Sequence, residues 1–274
     1  MKKILISVAP VDAADTIYDP IKTAEDVIRC YHAGAAMVHL HVRDKKGKLT
    51  SDLALLEQTV SIIRKETDMV IEISTGGVSD LTIEERCRPC TAPWIEVNSL
   101  NVGSVNLGEA VYQNSIQDVK YCVKQILGNH KWPEIEVFEL GMINTVLELS
   151  REFSFSKPIL FAFVFGHGGE MPATPQALHH MRTYLKELFP EERQALWGYT
   201  EAHRKDWKMV EMALDSGASA IRIGFEDSHM LSPEEIAVSN EPLVKKAVEL
   251  VHERKMECMT PFEIREMMKG NVSC

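Results

Sequence analysis

Two histidines one residue apart, His39-Leu40-His41, stand within an otherwise apolar run. In a strand, residues i and i+2 face the same way, so both imidazoles can converge on one ion. Burying such a pair is costly without partners, and a metal satisfies both at once. A pair of hydrogen-bonded core histidines is the plainer alternative. A third ligand is expected from the run Arg222-Ile223-Gly224-Phe225-Glu226-Asp227, where Arg222, Gly224 and Glu226 share parity. A His2Glu set leaves the open position that catalytic zinc sites keep, and it also accepts manganese or cobalt. Asp227 points differently and need not ligate. Beside a cation its carboxylate should stay ionised and serve as a base.

Other chemistry-bearing residues fall at the ends of apolar runs. Ser74-Thr75-Gly76-Gly77 offers hydroxyls and exposed backbone N–H groups for a carboxylate, although a tight turn explains the same glycines. Asn98, Ser99 and Asn101 follow the next run. Glu72 and Glu139 are carboxylates within buried segments, expected to pair with an inward arginine such as Arg43 or Arg222. His167, between Gly166 and Gly168, reads as part of a mobile loop. Ser74, Thr75, Gly76, Asn101 and Glu139 are therefore the expected substrate contacts, with Asp227 and Arg222 as the catalytic pair. The sequence assigns no residues to a cofactor.

These groups need elements to position them, and the chain supplies a regular alternation. Apolar runs at 3–10, 37–43, 69–75, 94–100, 134–141, 159–166, 195–202 and 220–227 read as strands buried on both faces. Between them lie helical patterns with cap signals at Thr23/Asp26, Ser51-Asp52, Thr82/Glu85 and Thr174. Gly34, Gly128 and Gly217 sit where helices should stop. Eight strands each followed by a helix predict an α/β fold, a (β/α)8 TIM barrel, whose reactive groups gather at the C-terminal strand ends. The expected organisation is one domain over residues 1–274, with a short C-terminal extension from about 257 to 274 that could serve a subunit contact. A doubly wound sheet is disfavoured, since no Gly-rich phosphate loop follows the first strand.

Bulk properties agree. The chain has 274 residues, 45% hydrophobic and 26% charged, a composition suited to one large folded domain. Its net charge of −10, from 30 basic and 40 acidic residues, argues against nucleic acid or an anionic membrane as partner. The start MKKILISVAP reads as a first strand rather than a signal peptide, and no run is long enough to span a membrane. Six scattered cysteines fit a reducing cytoplasm. Cys87 and Cys90 form a lone CxxC, read as two unrelated buried thiols.

Taken together, HLHVRD, STGG, SLNVGSVN and RIGFED resemble the β-keto acid cleavage enzymes across essentially the whole chain. The resemblance implies a zinc-containing barrel, usually a homotetramer, that condenses a β-keto acid with acetyl-CoA to give acetoacetate and a new acyl-CoA. Carried over, the zinc ligands match His39, His41 and Glu226, the base matches Asp227 and its partner matches Arg222. A hydroxyl contact to substrate falls on Ser74, and a threonine of the family falls near Ser99 or Asn101. An acidic residue that meets an amino substrate in one member falls at or near Ala14. Either Asp15 replaces it, or this substrate lacks that amine. The rival readings are an amidohydrolase-like hydrolase, a zinc-dependent aldolase and a non-catalytic metal or acyl-CoA binding protein. Amidohydrolases place their HxH on the first strand, whereas here it follows a complete βα unit, and the fifth run ends in FELG without histidine.

Overall fold

The computed structural model describes residues 1–191 and 194–270. Cys274 and the end of the expected C-terminal extension lie outside them. Eight parallel strands form the centre: β1 (Lys3–Val8), β2 (Met37–Leu40), β3 (Val70–Ile73), β4 (Val97–Asn101), β5 (Trp132–Val137), β6 (Ile159–Phe165), β7 (Ala195–Glu201) and β8 (Ala220–Ile223). Each pairs with the next, and β8 pairs back onto β1, closing a (β/α)8 barrel. All eight strands expected from the sequence are present.

Helices wrap the outside. The principal ones are α1 (Pro20–Ala33), α2 (Ala54–Glu66), α3 (Ile83–Arg86), α4 (Ile116–Gly128), α5 (Leu140–Glu152), α6 (Pro175–Leu188), α7 (Lys208–Asp215) and α8 (Asn240–Glu253). Their buried residues recur at helical spacing, as with Val119, Cys122, Val123 and Ile126 in α4. Thr82 with Glu85 forms a capping box and Thr174 caps α6, as their spacing suggests. Two expected caps are corrected. Asp19, not Thr23, caps α1, with Pro20 at the first helical position. Neither Ser51 nor Asp52 occupies the cap of α2, which is Leu53. Gly34 and Gly217 take positive φ at helix ends, but after α4 it is His130, not Gly128, that does so.

A ninth helix, α9 (Pro261–Met268), turns under the barrel instead of standing away from it. Ile264 and Met267 pack with Leu5, Met37, Val70, Val97 and Trp132 to close the N-terminal end. The opposite, C-terminal end stays polar. Among the described residues no helix is long and apolar enough to cross a membrane. Cys87 and Cys90 are buried and free.

Candidate active site

Strand register assembles the site. His39 on β2 lies beside Glu72 on β3, and Ser7 on β1 lies beside Arg222 on β8. His39 is buried with its two ring nitrogens turned to different neighbours. Nε2 lies 3.4 Å from His41 Nε2 and 3.8 Å from Glu226 Oε1, and His41 Nε2 lies 3.3 Å from the same oxygen. Three lone-pair atoms thus form a triangle with edges close to those around a tetrahedral zinc with ~2.0–2.1 Å bonds. Burial is the largest influence on His41 and lowers its pKa, favouring the neutral imidazole a metal requires. For Glu226, burial pushes the pKa up, but the charges of His41, Arg222 and His39 outweigh it and hold the carboxyl well below its ordinary range. The residues fit a divalent cation.

The way they get there differs from simple strand parity. β2 ends at Leu40, so His41 belongs to the loop, and β8 ends at Ile223, so Glu226 is not a strand residue. Gly224, at φ +152, approaches the β1 backbone so closely that an added Cβ would lie 2.1 Å from Ala9 O. The Glu226 N–H donates to that same Ala9 carbonyl, and the N–H of Asp227 folds back to Gly224 O. A tight turn anchored on β1 therefore presents both carboxylates to the mouth.

Arg222 grips Asp227 through two hydrogen bonds, Nη2 to Oδ1 at 2.6 Å and Nε to Oδ2 at 3.1 Å. Its guanidinium also stands 3.4 Å from Glu226 and 3.6 Å from Glu136. Burial raises the Asp227 pKa and the Glu226 charge adds to this, with Arg222 opposing. Such a carboxyl can hold a proton between two steps of a reaction.

Beneath this layer lie Glu72, a buried carboxylate already expected from the sequence, and Glu134, which was not. Glu72 Oε2 faces His39 Nδ1 at 3.2 Å, and His39, Glu72 and Glu134 bring their polar atoms within 4.8 Å of one another. Burial pushes the Glu72 carboxyl up to about 8, and Glu134 is likewise raised by burial and by Glu72. Glu72 faces His39 and not Arg43 or Arg222, the arginines it was expected to pair with. Arg43 donates to Gly47 O within its own loop at 2.6 Å, and Asp44 accepts from Lys46 and Lys48 in the same turn. A carboxyl behind the distal ring nitrogen is the usual way to orient a metal-ligating histidine. Glu134 and Glu136 could have been found by alternation, since the run Glu134-Ile135-Glu136-Val137 aims both inward on β5.

The remaining expected contacts divide. Ser74 Oγ lies 3.4 Å from Ser99 Oγ, and Ser74 lines a small cleft with His41 and Gly76. The Thr75 hydroxyl is directed elsewhere, donating to Ser99 O at 2.7 Å. Gly76 is required by close packing, because a Cβ would lie 2.0 Å from the Tyr112 hydroxyl, and its N–H meets Ser74 Oγ. Asn101 is buried, and its Nδ2 has no hydrogen-bond partner among the described residues. Glu139 is half-buried at the start of α5, without an arginine, and burial raises its pKa with Glu170 adding to the effect. Ala14 and Asp15 are exposed.

A barrel whose C-terminal mouth carries a His2Glu donor triad and an Arg-held aspartate has a donor set that could hold a divalent cation beside an acid–base group. The chain matches the β-keto acid cleavage enzyme family over residues 12–269, and it belongs to that family. It is 31% identical to the 3-keto-5-aminohexanoate cleavage enzyme of Fusobacterium nucleatum subsp. nucleatum, over 98% of each chain. It is 27% identical to the 3,5-dioxohexanoate:acetyl-CoA acetone transferase of Paraburkholderia graminis, over 98% of this chain and 96% of that one. Among solved structures, ObcA in ternary complex with a C4-CoA adduct and oxalate shares the fold. There the TM-score is 0.78 at 20% identity, covering 93% of this chain and 67% of that chain. The protein is a β-keto acid cleavage enzyme, a C–C bond-cleaving acyltransferase.

Proposed function

We propose that the enzyme is zinc-dependent and condenses a β-keto acid with acetyl-CoA, giving acetoacetate and a new acyl-CoA. The observation that carries this reading is the meeting of two devices at one mouth: the His39–His41–Glu226 triad, and Asp227 gripped by Arg222. His39, His41 and Glu226 would hold the zinc, which when bound supplies a Lewis acid for the keto group.

Asp227 takes the proton from the carbon between the two carbonyls, and Arg222 keeps both of its oxygens in place for that transfer. The carbanion attacks the acetyl thioester and CoA leaves as thiolate. The thiolate then attacks the original keto carbon, and C–C cleavage releases acetoacetate, whose carbanion recovers the proton from Asp227. Ser74, in the cleft beside His41, is the hydroxyl assigned to the substrate, and Asn101 Nδ2, without a hydrogen-bond partner among the described residues, is a second donor assigned to it. As part of the same reading, the protein is a cytoplasmic homotetramer, which size-exclusion chromatography with light scattering tests for its oligomeric part.

The decisive assay is acetoacetate formation from acetyl-CoA across β-keto acids with cationic, neutral and dicarboxylic side chains, read by mass spectrometry. Acetoacetate together with the matching acyl-CoA supports the reading and names the substrate class. A blank panel from zinc-loaded protein would overturn it.

A further inference from the structure

The segment Gly166-His167-Gly168-Gly169-Glu170, which leaves β6, looks mobile in sequence but is clamped. Its three glycines hold φ values of +98, +93 and +90. A Cβ at Gly166 would lie 2.3 Å from Ala202 O, and one at Gly169 would lie 2.6 Å from Asn106 Cβ. Gly108, in the hairpin that follows β4, donates its N–H to Gly168 O at 2.7 Å. The loop is fixed in one conformation by its neighbours.

What it fixes is His167. The backbone N–H of His167 donates to Glu170 Oε1 at 2.5 Å, and the ring Nδ1 lies 3.4 Å from that same oxygen. The Glu170 side chain is wholly buried, and its second oxygen has no partner among the described residues. Burial pushes this carboxyl up, but the hydrogen bonds and charge of His167 outweigh it and hold the group below its ordinary range. A neutral acceptor would cap the loop equally well, so a buried negative charge here serves the imidazole. Phe138 and His203 pack against the ring at 5.9 and 6.4 Å between centroids. The side chain keeps 26% of its surface exposed, and Nε2 has no hydrogen-bond partner among the described residues. His203 in turn donates its N–H to Asp227 O at 2.6 Å, which places the cluster beside the base.

We propose that His167 is a catalytic residue of the acyl transfer, donating Nε2–H to the oxygen of the acetyl thioester, and that Glu170 is its positioning residue. This rests on the acetyl-CoA reading above. The substrate carbanion's electron pair forms the new C–C bond to the thioester carbon, and the carbonyl π pair moves onto oxygen, where His167 stabilises it by a hydrogen bond. Collapse re-forms the carbonyl and expels CoA thiolate with the C–S pair. His167 keeps its proton throughout, so no further donor or acceptor is needed.

The test uses zinc-loaded His167→Ala and Glu170→Gln proteins with acetyl-CoA and a β-keto acid that the wild type accepts. His167→Ala should lower kcat on the order of 10²-fold, the cost of one oxyanion donor. Zinc content, Tm and the KM for acetyl-CoA should stay near wild type, and free imidazole should restore part of the rate. Exchange of the substrate α-proton in D2O without acetyl-CoA depends on Asp227 and not on His167, and should persist. Glu170→Gln should cost on the order of tenfold in kcat, as loss of an orienting carboxylate does. Undiminished kcat in His167→Ala would overturn the role and leave the acetyl-CoA reading intact. Joint loss of turnover and exchange without imidazole rescue would also overturn it, by making His167 structural. Zinc-loaded wild type with no acyl transfer on any substrate would overturn the acetyl-CoA reading and this role with it.

Discussion

His39 shows how much one side chain can be asked to do. Its Nε2 joins His41 and Glu226, while its Nδ1 faces a carboxyl that burial raises to about 8. The site as a whole is rich in carboxyls: Glu136, Glu226 and Asp227 face one guanidinium, Arg222, while Glu72 and Glu134 gather behind His39. A divalent cation relieves that imbalance, so removing a ligand should remove the ion. His39→Ala is expected to lose zinc and activity together, read by metal analysis and the acetoacetate assay; full zinc occupancy would refute the ligand set. Asp227→Asn should keep zinc yet lose turnover by roughly 10²–10⁴-fold, the usual contribution of a general base. Near-normal turnover would remove Asp227 from that role. Sequence parity was enough to nominate His39 and His41. The same parity places Glu134 and Glu136 inward on β5. The partnership of Glu170 with His167 is not legible in this way, because only the folded glycine loop brings the carboxylate back onto the ring.

At the scale of elements, the eight apolar runs were legible because strands buried on both faces leave little polar alternation to confuse them. Their ends were not. β8 was expected to run to Asp227 but stops at Ile223, since Gly224 at φ +152 leaves strand geometry and folds the following residues against Ala9. The cap of α1 was misplaced for a related reason: Asp19-Pro20 carries the start signal, but Thr23 with Asp26 gives the same pattern one turn later. Because the turn at Gly224 sets the direction of both Glu226 and Asp227, it can be tested as a unit. Gly224→Ala combines an unfavourable φ with a Cβ 2.1 Å from Ala9 O, and should destabilise the fold by about 1–3 kcal/mol. It should also weaken zinc binding, measured by competition with a chromogenic chelator. Wild-type zinc affinity in a destabilised variant would show that the turn supports the barrel without aiming the ligands.

The whole molecule is polarised between a chemical mouth and a sealed base, and how the base is sealed could not be read from local sequence. Nothing local to Pro261–Met268 says which surface an eight-residue helix will cover; that depends on Leu5, Met37 and Trp132 meeting at the strand starts. The clasp is ionic as well as apolar. Glu96 accepts from Arg265 Nε at 2.5 Å and Nη2 at 2.9 Å, and from Arg64 on α2, so one carboxylate ties α9 to the barrel wall. Burial pushes Glu96 up, but its hydrogen bonds from Arg265 and Arg64 prevail and hold its pKa below the ordinary 4.5. A carboxyl whose folded pKa is depressed stabilises the fold above the unfolded value and loses that contribution as pH falls through the folded one. Glu96→Gln should therefore cost about 1–3 kcal/mol near pH 7, the range of hydrogen bonds to charged groups. The gap to wild type should be constant above about pH 6 and close progressively below the ordinary carboxylate range. Urea unfolding of both proteins between pH 7 and pH 3 measures this directly. A gap that persists unchanged at the acid end would mean that Glu96 acts by shape and packing, with the base held shut by Ile264 and Met267 alone.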